Sequence, residues 1–148
     1  MTELLQNTMA AYEQHAKSLA EANDINKNAV FAALKAESIT TVRVLFDGAG
    51  DSGQIQEVSA ETANGSIALP DVQIEMQHAS WGGKVTSAKM QLRDAIDELC
   101  FDYLSQEHGG WENNDGGEGE FTFRAEDSSL DLDFVQFYTE STTHSHTF

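Results

Sequence analysis

Carboxylates, asparagine and glycine are interleaved in two stretches of this chain, residues 47–53 and 112–120, the mixture from which oxygen-rich Ca²⁺ or Mg²⁺ sites are built. Neither stretch has the full EF-hand spacing. With Asp115-Gly116 as the central pair, Trp111 stands where the first ligand belongs and Thr122 where the bidentate acid belongs. A composite site of Asp47, Asp51, Asn114, Asp115 and Glu118 therefore requires both loops to meet at one edge of a sheet. Gly50-Asp51-Ser52-Gly53 matches part of the nucleophile sequence of trypsin-like serine proteases. That chemistry also needs a base and an orienting acid on a double barrel, which this chain is too short and too helical to build. A turn in which Gly supplies positive φ and Asp and Ser bond their own backbone is the favoured reading.

His144 and His146 are two apart, so on an extended segment they share a face, and His108 follows a helical pattern. A transition-metal site needs a further ligand, and a polar terminal strand held down by Phe148 is the simpler expectation. Cys100 has no His or Lys at a neighbouring helical position to stabilise a thiolate, which makes it a small buried hydrophobe. Trp81 and Trp111 fall in loops, where tryptophan either pins the loop or anchors a partner.

The elements that must position these residues are read from periodicity. Leu5, Met9, Tyr12, Ala16 and Leu19 step by four and three, which predicts a helix, and Asn23-Asp24 offers a fresh cap for a second one through Ala36. Val42, Val44 and Phe46 alternate in a β-branched run, and Ile55 and Val58 follow a glycine-rich turn, predicting a first hairpin over 40–59. Residues 60–86 read mostly as loop with one irregular strand. Leu92, Ile96, Leu99 and Tyr103 predict a central helix over 87–106. Phe121, Phe123 and Ala125, then Leu130, Leu132 and Phe134, alternate with polar residues on either side of a Glu126-Asp127-Ser128 turn, predicting a second hairpin over 119–138. The expected fold is one α+β domain over 1–148: an antiparallel sheet of two hairpins, with two N-terminal helices and one central helix packed on one face.

Charge decides what such a domain can bind. The chain has 148 residues, 40% apolar, with 25 acidic and 8 basic residues and a net charge of −17. Up to Ile96 there are 12 acidic and 7 basic residues; from Asp97 onward there are 13 acidic residues and only Arg124. The terminal third is also rich in aromatics, so it is expected to fold rather than to form an acidic tail. Charge of this sign excludes direct nucleic-acid binding and disfavours anionic membranes. No apolar run reaches the roughly 18–20 residues that span a bilayer, and a lone cysteine fits the cytoplasm. Period two turns Glu118, Glu120, Asp131 and Asp133 away from the core. With Asp127 and the apolar anchor Trp111, these form the expected partner-binding set. The reading is a non-enzymatic protein that docks on a basic protein surface, such as a nucleic-acid-binding enzyme, without a cofactor. A Ca²⁺ or Mg²⁺ module or metal-dependent hydrolase is the alternative, and a homo-oligomer is left open.

The stretches 26–34 (NKNAVFAAL), 46–55 (FDGAGDSGQI) and 110–123 (GWENNDGGEGEFTF), and the ending His146-Thr147-Phe148, resemble a small bacterial family of unknown function met on plasmids, integrative elements and phages. The resemblance covers most of the chain after the first helix and implies the same α+β domain. It carries no activity, cofactor or catalytic residue. A mobile-element setting implies inhibitors of host defence, of the anti-restriction or anti-CRISPR type, that act by mimicking nucleic acid.

Overall fold

A computed structural model of the chain describes residues 2–49, 52–79, 84–108, 116–137 and 141–148. Helix α1 spans Thr2–Ala36 without a break. The expected pair of N-terminal helices is thus one helix. No Gly or Pro occurs between Thr2 and Ala36 to interrupt the backbone, and the presumed cap Asn23 is instead a buried side chain, 2% exposed. Ser38, in the left-handed region at φ 59°, ends the helix and turns the chain into β1.

Strands β1 (Ile39–Ala49) and β2 (Ser52–Thr62) form the first hairpin, longer than expected. Ala49 pairs with Ser52, so the anticipated long loop over 47–53 is mostly strand, with only residues 50 and 51 left between the two. A short β3 (Gly65–Ile67) adds to β2. The stretch expected to be loop holds a second, two-stranded sheet, β4 (Gln73–Ala79) and β5 (Val85–Gln91). Helix α2 therefore begins at Leu92 and runs to Glu107, five residues later than its expected start. The buried stripe of Leu92, Ala95, Ile96 and Leu99 begins there. Before it, Ser87 to Gln91 pair with β4, a partner that local periodicity does not reveal.

Strands β6 (Gly117–Arg124) and β7 (Ser129–Gln136) form the second hairpin. The main sheet is antiparallel throughout, in the order β3-β2-β1-β6-β7. Its inner face supplies Val42, Val44, Phe46, Phe121 and Phe123 to a core shared with Val30, Phe31 and Leu34 of α1 and Leu92, Leu99 and Leu104 of α2. Phe31 meets Phe123 with ring centroids 5.7 Å apart. The fold is α+β, but the helix count and the second sheet depart from the expected arrangement.

One polar clamp holds α1 to the small sheet. Asn26 is 1% exposed; its Nδ2 donates to the Gln77 carbonyl at 2.9 Å and its Oδ1 accepts from the Gln77 N–H at 2.6 Å. The side-chain amide thus substitutes for a neighbouring strand along β4. Asn26→Ala would strip both partners from these backbone groups, and an unsatisfied buried group costs about 1–3 kcal/mol. A loss of about 2–3 kcal/mol in urea unfolding is expected.

Candidate acidic interaction face

Residues paired across a sheet point to the same side, so the register identifies what lies on the outer face. On β1 these are Thr41, Arg43, Leu45 and Asp47, because Val42, Val44 and Phe46 are buried. The partners of Asp47, Leu45, Arg43 and Thr41 on β6 are Glu118, Glu120, Thr122 and Arg124. From β6 to β7, Glu118 faces Val135, Glu120 faces Asp133 and Thr122 faces Asp131. On the other side of β1, Leu45 faces Glu57 and Thr41 faces Glu61. The acidic surface therefore extends over four strands rather than one hairpin.

Two arginines neutralise part of it. Arg43 Nε lies 3.9 Å from Glu120 Oε1, and Arg124 pairs with Asp131 across the hairpin. Asp47 accepts hydrogen bonds from the side-chain amides of Gln54 and Gln56. Among the described residues no cation lies within ion-pair distance of Asp47, Glu57, Glu118 or Asp133. Carboxylates set directly opposite one another, as in Glu120–Asp133 and Asp47–Glu118, destabilise a sheet. An open groove of about 640 Å³ runs here, and its lining includes Leu45 and Val135, which are 40% and 56% exposed. The groove thus sets two separate apolar side chains, Leu45 and Val135, among the carboxylates of Asp47, Glu57, Glu118, Glu120 and Asp133.

Of the residues singled out in the sequence, Glu118, Glu120, Asp131 and Asp133 share this face. Asp127 does not: it sits in the β6–β7 turn, where its Oδ1 accepts from the Ser129 hydroxyl at 2.7 Å and the Ser129 N–H at 3.3 Å. Those hydrogen bonds from Ser129 hold the Asp127 carboxyl below the usual carboxylate range. Its evident work is closing the turn. Trp111 lies outside the described residues, as do Trp81, Asp51, Asn114 and Asp115. Of the composite metal set, Asp47 and Glu118 are opposite one another at the end of the sheet from which both glycine-rich loops leave. Among the described residues no group of three or more His, Cys, Asp or Glu side chains is arranged to hold a metal.

The remaining candidates resolve into packing. His108 stacks on Phe134 with ring centroids 4.3 Å apart. His144 and His146 lie on an exposed, non-strand segment, and Phe148 is fully exposed, so the expected terminal strand held down by Phe148 does not form. Cys100 is buried, and that burial, with Asp97 nearby, pushes its thiol pKa well up. His78 Nε2 of β4 meets Glu98 Oε1 of α2 at 2.7 Å, while Asp102 of α2 is raised above the ordinary range by burial and then by Glu98. A carboxyl whose folded-state pKa lies above its unfolded value stabilises at acid pH and loses that contribution as pH rises through the folded value. Asp102→Asn is therefore expected to raise the Tm at pH 7 and to have little effect near pH 3, by calorimetry at both values.

Sequence reasoning missed Leu45, Glu57, Glu61 and Val135 as members of the face. Strand alternation around Val42, Val44 and Phe46 already turned Leu45 and Asp47 outward; what it could not supply was which strand lies beside β1. Among the described residues no helix is long and apolar enough to cross a membrane.

Fold and face together define an antiparallel α+β protein with one acidic sheet surface. The chain belongs to a family of unknown function, DUF6878, whose model matches residues 22–148. No curated protein and no solved structure matches it.

Proposed function

We propose that this protein is a non-enzymatic inhibitor that docks its acidic sheet face on the basic nucleic-acid channel of a host defence enzyme, of the restriction or RNA-guided type, and is carried by a mobile element. The observation that carries the reading is the row of opposed carboxylates, Asp47–Glu118 and Glu120–Asp133, held on one solvent-facing surface. Successive outward residues on a strand are roughly 7 Å apart, a spacing suited to substituting for backbone phosphates in front of Lys and Arg. Leu45 and Val135, set among these carboxylates, supply apolar contact. The test is competition: the protein against a labelled duplex for a DNA-binding nuclease of such a system. It should displace the duplex at about 50 mM salt and lose most of that effect at about 500 mM, because rim charges are screened within a Debye length. Displacement unchanged in strong salt would sink this account.

The opposition of Asp47 and Glu118 also favours a second reading, a Ca²⁺- or Mg²⁺-binding module or metal-dependent hydrolase in which the adjoining loops supply Asp51, Asn114 and Asp115. An ion at about 100 times its Kd would stabilise the fold by about 2.7 kcal/mol, a rise in Tm that Asp47→Asn removes. A melt unchanged by either ion discards it.

A further inference from the structure

The main sheet ends on two edge strands, and they are built differently. β3 has only three residues, Gly65–Ile67, a length that offers little to a neighbour. β7 runs for eight, Ser129–Gln136, pairs with β6 without a register shift, and contains no Pro, Gly or Lys to blunt it. Alternate residues of a strand turn their N–H and C=O to opposite neighbours, so half of these groups on β7 face away from β6. Among the described residues no strand pairs with that side. The side chains of β7 alternate: Asp131 and Asp133 are exposed on the outer face, and Leu130 and Leu132 are half-buried on the inner one. Those two leucines, with Phe121 and Tyr103, line an open pocket of about 330 Å³. Asp24 and Glu107 border it, their charge offset only in part by Lys27.

We propose that β7 accepts an added strand from a partner protein: an extended segment in which Lys or Arg alternates with an apolar residue. Period two selects this pattern, because the added strand must present cations to Asp131 and Asp133 on one face and apolar side chains to Leu130 and Leu132 on the other. It would lie about 4.8 Å beyond β7, so its inward side chains sit next to the pocket that the leucines line. Backbone hydrogen bonds hold such a segment, and the side-chain pattern chooses it. A second copy of this chain does not fit. Paired antiparallel with matching faces, two β7 strands set Asp131 against Asp133 or Asp133 against itself, and each copy carries −17. The edge and its inner pocket are distinct from the outer groove, and the inference does not rest on competition with nucleic acid.

A labelled peptide of about eight residues alternating Val and Lys, titrated with the full chain to about 200 μM and read by fluorescence anisotropy, tests it. Binding in the micromolar range is expected, since a single added strand makes a small interface. In hydrogen exchange followed by NMR, every second amide of β7 should slow by about tenfold or more when the peptide is bound, and those of β3 should not change. Asp131→Lys with Asp133→Lys, both at exposed positions, should keep the wild-type circular dichroism. That variant should bind the Val–Lys peptide about tenfold more weakly and gain binding to a peptide alternating Val and Glu. A Val–Lys peptide that fails to bind at the highest concentration overturns the proposal. So does binding that leaves the β7 amides exchanging as before, which would place the peptide on the outer face alone, or a double variant with the wild-type preference.

Discussion

Gly119→Ala is expected to lower the Tm by roughly 2–12 °C, a larger loss than the same change at Gly117 or Gly65. A Cβ at Gly119 would stand 2.4 Å from the Asp133 carbonyl oxygen and 2.6 Å from Phe46 Cζ. Neither neighbour yields cheaply. The first is backbone of the paired strand, and the second is a core ring packed against Phe121 at 5.5 Å and Phe134 at 6.1 Å between centroids. Overpacking of this kind costs about 1–3 kcal/mol and occasionally more, and a protein of this length loses roughly 2–4 °C per kcal/mol. Gly65 is the comparison. A Cβ there meets nothing within 4 Å, so Gly65→Ala should show only the smaller cost of its φ of +123°. Equal melting shifts for the two variants would mean that the aromatic ring does not close over Gly119. The effect matters for the face because Gly119 lies between Glu118 and Glu120, and a shifted β6 would misplace both.

The second large effect is on binding and runs opposite to stability. Neutralising Glu118, Glu120 and Asp133 together, as Glu118→Gln, Glu120→Gln and Asp133→Asn, should abolish competition with duplex DNA while leaving the Tm unchanged or higher. Glu120 and Asp133 are directly opposed, and relieving a like-charge pair in a sheet is worth about 0.2–1 kcal/mol. Arg43 loses its ion pair with Glu120, but that pair is long and exposed, so the loss is small. Each carboxylate that meets a partner cation contributes roughly tenfold in affinity, about 1.4 kcal/mol, and the triple variant should weaken binding by about a thousandfold. Removing charges that hold a fold together would lower both quantities. A variant that melts earlier and still competes would contradict the assignment of this face to a partner.

Much of the second hairpin was legible without coordinates. Alternation of Phe121, Phe123, Leu130 and Leu132 with Glu120, Asp131 and Asp133 is a local pattern, and a two-residue period fixes which side chains share a face whatever the hairpin packs against. The helices were legible as helices for the same reason. Their ends were not. Asn23-Asp24 has the composition of a cap, but whether an Asn caps or is buried depends on what lies opposite. Here Gln106 and the Tyr103 hydroxyl approach Asn23 from α2, residues some eighty positions away. Ser87 to Gln91 likewise reads as the start of a helix until β4 is placed beside it.

The sequence by itself determined a protein with an α+β pattern, a net charge of −17 and a hairpin with one acidic side, because composition and period are properties of neighbours in the chain. Only the tertiary structure decided that Asp47, Glu57 and Glu61 join that side, that Asp127 serves its turn, and that the first helix runs unbroken from Thr2 to Ala36. Those outcomes depend on which strand pairs with which and on what covers each helix face. Such contacts form between residues far apart in the chain, and local spacing carries no record of them.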